Sequence, residues 1–258
     1  MAEETTETLA ETTSAGRVEE FYWDTVVFKV ENSLFKVPRD QFIAQSEVFA
    51  GMFLVPRPVG DEQSAEGGSD SNPIVLEGYK ADDFKALLKV LYPSSSMVTQ
   101  REDLTKSELA SVLRLSTIWG MNKIRSHAIK QLSIESLAEA VLSPTEKITL
   151  AREHRISKWF FQGVTSLVKD NLSLDDLETS VGIRTAYRIL GIKLECNSCS
   201  QCRRGGSHTI ILGSPMKKLI RDAFEDEINE IVKDERQYGV EEDADDGEDN
   251  CKFGGIEW

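Results

Sequence analysis

β-Forming residues cluster near the N-terminus of the chain, and apolar residues at helical spacing fill most of the remaining sequence. Residues 1–17 carry almost no apolar side chains, so they predict a disordered tail. Thr25–Val30 and Leu34–Val37 are short β-forming runs, and Glu31–Ser33 between them supplies turn residues. Together they predict a β-hairpin with a short loop, and Ile74–Leu76 predicts a third strand.

Helix-start signals recur along the rest of the chain. Pro38 ends the second strand and can open a helix. The candidate N-caps are Ser46, Asn122 and Ser133, and the candidate capping boxes are Thr105 with Glu108, Ser143 with Glu146, and Ser173 with Asp176. Ser214–Pro215 is predicted to begin a last helix that continues through Ile231.

Apolar faces at helical spacing accompany these start signals. Three of these faces are Phe42, Phe49, Met52 and Phe53; Ile156, Trp159, Phe160, Val164 and Leu167; and Ile183, Ala186, Tyr187 and Leu190. The order of elements is a hairpin, helices, one strand, and then helices to the end. Because strands and helices do not alternate regularly, the order predicts an α+β fold with a small three-stranded sheet capped by helices, followed by an all-α C-terminal extension.

The charge balance narrows the possible partners. The 258 residues include 30 Lys and Arg against 44 Asp and Glu, a formal net charge of −14. Nucleic-acid binding depends on neutralising phosphates, so this excess of acid argues against a nucleic acid and against an anionic membrane surface. The first residues are acidic and lack the apolar run of a signal peptide, and no stretch predicts a membrane span. We expect an intracellular protein, in the cytoplasm or the nucleus.

An ordered set of segments resembles the BTB/POZ family, most closely the BTB proteins common in fungi. The segments are Asp24–Val30, Leu34–Arg39, Ser46–Phe53, Ile74–Gly78, Phe84–Tyr92, Leu113–Trp119 and Ile124–Leu132. The resemblance implies a BTB/POZ domain over 18–132. We expect a helical region over 133–236 with a cysteine-containing loop at 195–213, and an acidic disordered tail over 237–258.

The resemblance implies a non-enzymatic protein–protein interaction protein that self-associates or recruits a partner. Two departures from the family pattern concern this role: Pro38 replaces a common His, and residues 1–17 lack the apolar stripe of an exchanged N-terminal helix. Some members of the family recruit a cullin-type ubiquitin ligase through an apolar residue, any residue and Glu. The corresponding loop here offers only Val59-Gly60-Asp61, so a substrate-recruiting adaptor is an alternative that depends on analogy.

Three clustered cysteines are the sharpest local chemical signal. Cys196, Cys199 and Cys202, with His208 nearby, could close a tetrahedral zinc site, and Cys251 is a distant alternative ligand. The run overlaps instead of forming two separated pairs, so a reduced loop with incidental cysteines is the favoured interpretation. A zinc-stabilised regulatory domain is the second alternative function, and no other cofactor is expected.

The aromatic residues Phe21, Tyr22 and Trp23 directly precede the first predicted strand. The favoured interpretation is that they cover the sheet edge or the core. The alternative is that they contact a partner, because Trp and Tyr are enriched in interface hot spots. No nucleophile elbow and no Walker-type phosphate loop occurs in the sequence, so it predicts no enzyme.

Overall fold

The structure, a computed structural model, describes residues 22–54, 66–93, 104–134, 142–198 and 214–239, together with Gly16, Val18 and Glu20. The strands are β1 (Thr25–Val30), β2 (Ser33–Pro38) and β3 (Ile74–Val75). The helices of the first half are α1 (Asp40–Gln45), α2 (Glu47–Phe53), α3 (Ala81–Leu91), α4 (Lys106–Ile118) and α5 (Asn122–Leu132). Those of the second half are α6 (Pro144–His154), α7 (Ser157–Lys169), α8 (Leu174–Val181), α9 (Ile183–Ser198), α10 (Ser214–Ala223) and α11 (Glu225–Glu235), followed by a 3-10 helix (Arg236–Tyr238).

The three strands form one small mixed sheet with the order β2-β1-β3. β1 pairs with β2 in antiparallel register, with Phe28 opposite Phe35, and pairs with β3 in parallel register, with Phe28 opposite Ile74. The predicted hairpin and the predicted third strand therefore meet in a single sheet. With the helices that cover it and the helices of the second half, this confirms the α+β fold.

Two backbone positions with positive φ hold this sheet in place. Glu31 lies in the hairpin turn with a φ of 51°, and its carboxylate accepts the N–H of Ala81 at 2.9 Å, which anchors the start of α3. Gly67 has a φ of 80°, and its carbonyl accepts the N–H of Val27 at 2.9 Å. A Cβ at Gly67 would lie 2.8 Å from Cγ2 of Val26, so only glycine allows the turn to approach β1 this closely.

Aromatic rings fill the core between the sheet and helices α1 to α4. The ring of Phe42 lies 5.1 Å from that of Phe28 and 4.8 Å from that of Phe49, centre to centre, and Phe49 lies 5.2 Å from Trp119. The hydroxyl of Ser46 accepts the N–H of Phe49 and donates to the carbonyl of Trp119 at 2.6 Å. The predicted N-cap of α2 therefore also fastens α2 to the end of α4.

The helices of the second half continue the same hydrophobic core. The predicted face of α7, from Ile156 through Leu167, is buried, and the three predicted capping boxes are present at α4, α6 and α8. At Gly163 of α7 an added Cβ would lie 2.7 Å from Cγ1 of Ile148 and 2.7 Å from the carbonyl oxygen of Pro144. Helices α6 and α7 are therefore in backbone contact at this point.

A buried arginine joins the two halves. Arg125 of α5 is 2% exposed, and its guanidinium donates to the carbonyl of His154 at 2.6 Å. The same group lies over the ring of Tyr238, 4.2 Å from its centre. Nearby, Nε1 of Trp159 donates to the hydroxyl of Ser133 at 3.0 Å. The helical extension is thus packed directly onto the last helix of the first half.

Several local predictions are wrong, and each has a packing reason. Met121, not Asn122, occupies the N-cap of α5, because the short Trp119–Gly120 turn leads directly into the helix and buries the Met121 side chain. Ser133 ends α5, since its N–H and hydroxyl both donate to the carbonyl of Ile129. The helix that Ser133 was predicted to begin falls on residues 135–141, which lie outside the described residues.

The remaining corrections concern where helices begin and end. Pro38 ends β2 as predicted, but the helix begins two residues later, at Asp40. The single helix predicted from residue 214 is two helices, because the backbone leaves helical geometry at Phe224 (φ −122°, ψ 22°), whose ring packs edge-on against Phe160. The loop predicted from residue 195 begins later, since α9 continues to Ser198. The 3-10 helix includes residues 237 and 238, which the sequence analysis placed in the tail.

Candidate protein-interaction surface

The strand register decides which side chains of the sheet face outward. Lys29 of β1 lies opposite Leu34 on one side and opposite Val75 on the other, so these three side chains share one face. The opposite face carries Phe28 and Phe35 against the helices. Leu34 and Val75 are both about half exposed. The outer face of the sheet therefore presents two aliphatic side chains to the surroundings of the protein.

The aromatic residues predicted as a partner contact stand at the start of β1. Tyr22 is 53% exposed and Trp23 is 58% exposed, so neither is buried in the core, and both cover of the sheet edge and contact with a partner stay predictions. The next residue, Asp24, is held by Arg39. The N–H of Arg39 donates to the carbonyl of Asp24 at 2.9 Å, and the Arg39 guanidinium pairs with the Asp24 carboxylate. Trp23 is therefore attached to a fixed point of the hairpin. Phe21 lies outside the described residues.

A second group of exposed apolar side chains lies on α1 and α2. Val48 and Met52 are one helical turn apart on α2 and both are exposed, as are Ile43 on α1 and Leu54 after α2. The sequence analysis placed Met52 with Phe42 and Phe49 on the core face, and the structure places it on the flank of that face. These residues extend the apolar surface of the first half beyond the sheet.

Sequence reasoning missed a third apolar surface, on α9. The predicted core face was Ile183, Ala186, Tyr187 and Leu190, but only Ala186 of this set is fully buried. Ile189 and Ile192 complete the buried face, whereas Tyr187 is 76% exposed. A helix with apolar residues on nearly every side gives no sequence signal for which side faces the core, because only the neighbouring helices decide it.

The candidate zinc ligands are only partly described. Cys196 lies in the last turn of α9, half-buried against the hydrophobic core. Cys199, Cys202, His208 and Cys251 fall outside the described residues. Within the ranges that the structure covers, no group of three or more His, Cys, Asp and Glu side chains could hold a metal ion. The zinc site stays a prediction, as does the cullin contact, because Val59–Asp61 is also outside those ranges.

The two histidines in the described ranges have different surroundings. His127 is exposed on α5, and His154 is buried at the end of α6. Burial lowers the pKa of His154; the nearby carboxylate of Glu153 opposes this shift, and the guanidinium of Arg125 adds to it. His154 therefore belongs to the packing between the two halves, beside the buried arginine.

A comparison with known protein families identifies the part of the chain that contains the sheet. The model of the BTB/POZ domain matches residues 17–135. This part of the chain is a BTB/POZ domain. The BTB/POZ domain thus contains the sheet, helices α1 to α5 and the exposed residues Tyr22, Trp23, Leu34 and Val75, while α6 to α11 lie beyond the match. BTB/POZ domains are protein–protein interaction modules.

Two further findings complete the comparison. No curated protein matches the chain. In the part of the chain that the structure covers, no helix has both the length and the apolar composition needed to cross a bilayer.

Proposed function

We propose that the chain is a non-enzymatic interaction protein that assembles through its BTB/POZ domain with a second copy of itself or with another protein. The observation that carries the proposal is the exposure of Tyr22 and Trp23 beside the Asp24–Arg39 pair. Large aromatic side chains held on a rigid element lose little conformational entropy on binding, and they dominate the energy of many interfaces.

The rest of the BTB/POZ domain offers further apolar surface for such an interface. Leu34 and Val75 on the outer face of the sheet, and Val48 and Met52 on α2, add exposed apolar area to the aromatic pair. A stable interface needs roughly 800 Å² on each partner, and a buried Trp or Tyr supplies about 150–250 Å² of that. The aromatic pair alone is therefore too small, and the proposed interface must include part of the sheet face or of α2.

Sedimentation velocity of the full chain, from about 1 to 100 µM, tests self-association. We expect a concentration-dependent dimer or higher oligomer in the wild type. Truncating both aromatic side chains, Tyr22→Ala with Trp23→Ala, should weaken it at least tenfold, since each buried aromatic contributes more than 1 kcal/mol. Leu174→Ala is the control, because Leu174 is an exposed apolar residue outside the BTB/POZ domain.

A wild-type chain that stays monomeric over this range would contradict self-association. Recruitment of a different protein is then tested by quantitative affinity purification of the wild type, the double variant and Leu174→Ala. A partner that is retained by the wild type and by Leu174→Ala but lost from the double variant would support recruitment through the aromatic pair. Equal retention by all three proteins would contradict the proposed surface.

A further inference from the structure

Helix α9 carries an apolar stripe that no described element covers. Its members recur at helical spacing, so they lie along one side of the helix. They are Ile183, Tyr187, Gly191 and Leu194, called here the α9 stripe. Ile183, Tyr187 and Leu194 are 51%, 76% and 71% exposed, and open space surrounds Gly191. The buried side of α9 packs on α7 and α10, so the stripe is additional to the core.

Positive charge accompanies the stripe at its N-terminal end. Ile183, Arg184, Tyr187 and Arg188 line a shallow, open hollow of about 460 Å³. Arg188 lies over the ring of Phe224 and 3.9 Å from the carboxylate of Glu227. Arg184 has no ion-pair partner among the described residues. In a chain with a net charge of −14, two arginines beside an exposed apolar stripe select an acidic ligand with apolar side chains.

The chain itself contains a segment with this chemistry. Residues 240–258 lie outside the described residues and include eight Asp and Glu against one Lys. The apolar residues Phe253, Ile256 and Trp258 come after the acidic run. We propose that the α9 stripe is the intramolecular docking site of residues 240–258, with the apolar residues on the stripe and the acidic run beside Arg184 and Arg188.

The position of the last described residue makes this docking geometrically accessible. Glu227 of α11 lies beside Arg188 of α9, and Gly239 is twelve residues further along. At 1.5 Å per helical residue, the segment therefore begins within about 20 Å of the hollow. Residues 240–258 span about 60 Å when extended, and the stripe itself is about 17 Å long. The segment can reach the stripe without any rearrangement of the helices.

A second copy of the chain is a poorer occupant of the stripe. A strip about 17 Å long and one helix wide, about 10 Å, offers far less than the roughly 800 Å² per partner of a stable interface. Docking within one chain does not carry the entropy cost of joining two molecules, so a small apolar strip is sufficient for it. This inference does not depend on the proposed function, which concerns the BTB/POZ domain.

Photo-crosslinking in the full chain tests the proposal. The photoreactive residue benzoylphenylalanine replaces Tyr187, and trypsin, which cleaves after Lys252, releases Phe253–Trp258 as a separate peptide. We expect intramolecular adducts to this peptide, with a yield that is constant from about 1 to 50 µM protein. The same probe at Leu54, which is exposed directly after α2, should give at least threefold fewer adducts.

Two variants separate charge from apolar contact. Arg184→Glu, and Phe253→Ser combined with Trp258→Ser, should each lower the adduct yield at least threefold. Lys158→Glu is the matched control, because Lys158 is an exposed basic residue on α7 and should have no effect. Adducts between chains that increase with concentration would overturn the proposal in favour of a second copy. Adducts to residues 199–213 in place of Phe253–Trp258, or equal yields at Leu54 and Tyr187, would also overturn it.

Discussion

The BTB/POZ domain and the helical region after it are packed in different ways. In the BTB/POZ domain, side chains interlock: the rings of Phe28, Phe42 and Phe49 surround the centre of the sheet. In the helical region, backbones come together, since Gly163 of α7 lies against Ile148 of α6. Family resemblance covers only the first of these regions. Even so, both belong to one hydrophobic core, which suggests that the helical region is part of the folding unit.

The contacts between the two regions are polar as well as apolar. Arg125 of the BTB/POZ domain satisfies the carbonyl of His154, and Lys106 pairs with Glu146 at 2.6 Å. The buried hydrogen bond of Arg125 specifies one arrangement, because a displaced partner leaves an unsatisfied group, whereas the Lys106–Glu146 pair is partly exposed. If the two regions unfold as one unit, damage to either region or to these contacts must lower the stability of both. Substitutions in each region and at their contacts test this expectation.

The largest effect is expected at the buried arginine. Arg125→Ala removes the donor to the His154 carbonyl, the contact with Tyr238 and the volume of a buried side chain, so it should lower the free energy of unfolding by about 3 kcal/mol. Hydrogen exchange, read separately on peptides from β1 and α7, should show lost protection in both regions. Urea denaturation gives the magnitude.

Two further variants locate the cause of that effect. Arg125→Met keeps most of the volume and lacks the donor, so about half of the loss should remain. Lys123→Ala, on the exposed side of the same helix, should change stability by less than 0.5 kcal/mol, roughly the range of ordinary surface substitutions. Lost protection in α7 alone after Arg125→Ala would mean that the helical region unfolds separately.

A smaller effect is expected at the contact between α6 and α7. Gly163→Ala places a methyl group 2.7 Å from the Pro144 carbonyl oxygen, which is backbone and cannot rotate away, so the helices must separate. Overpacking of this kind costs about 2 kcal/mol. Gly51→Ala on α2 is the matched control: open space surrounds Gly51, and alanine there should stabilise the helix by about 0.5–1 kcal/mol. Urea denaturation should show opposite signs for the two variants.

Local signals in the sequence predicted the elements well. A capping box is formed within four residues, so Thr105, Ser143 and Ser173 could be identified without knowledge of the fold. The hairpin and the third strand likewise could be predicted from short β-forming runs. Ser133 shows the limit of such signals, because a serine side chain can bond to either end of a helix. Its hydroxyl donates to the carbonyl of Ile129 at the end of α5 and accepts the N–H of the Trp159 ring.

Properties that depend on distant segments could not be predicted. Which side of α9 is buried depends on α7 and α10, so Tyr187 was placed in the core. The break at Phe224 depends on the distant ring of Phe160. The sequence could not decide whether Tyr22 and Trp23 cover the sheet edge or core or contact a partner, since residues at the start of a strand can turn toward the core or away from it.

A pH dependence should arise where the two regions meet. Because burial lowers the pKa of His154, the unfolded chain takes up a proton near pH 6.5 while the folded chain still has a neutral ring. Stability should therefore decrease as the pH falls below about 7, by at most about 1.4 kcal/mol per pH unit, until the folded chain also binds the proton. Urea denaturation between pH 5.5 and 7.5 measures this slope.

Two histidine variants test whether His154 causes this pH dependence of stability. His154→Gln should flatten it whatever its effect on stability at neutral pH, and His127→Gln, an exposed position on α5, should leave it unchanged. The pKa values of the Glu108 and Glu146 carboxyl groups are also lowered from their ordinary value. These groups change their protonation only at more acidic pH, so they do not contribute to the slope between pH 5.5 and 7.5. An unchanged slope in His154→Gln would contradict the assignment.

The smallest effect compares the same motif in the two regions. Thr105→Ala removes the capping hydroxyl of α4 in the BTB/POZ domain, and Ser143→Ala removes that of α6 in the helical region. Each N-cap should contribute about 1 kcal/mol. If the regions unfold together, both variants should lower the denaturation midpoint equally and reduce hydrogen-exchange protection in β1 and in α7 alike. If Ser143→Ala reduces protection only in α6 to α11, the shared core is not enough to make the two regions cooperative, and the BTB/POZ domain is the more independent of the two.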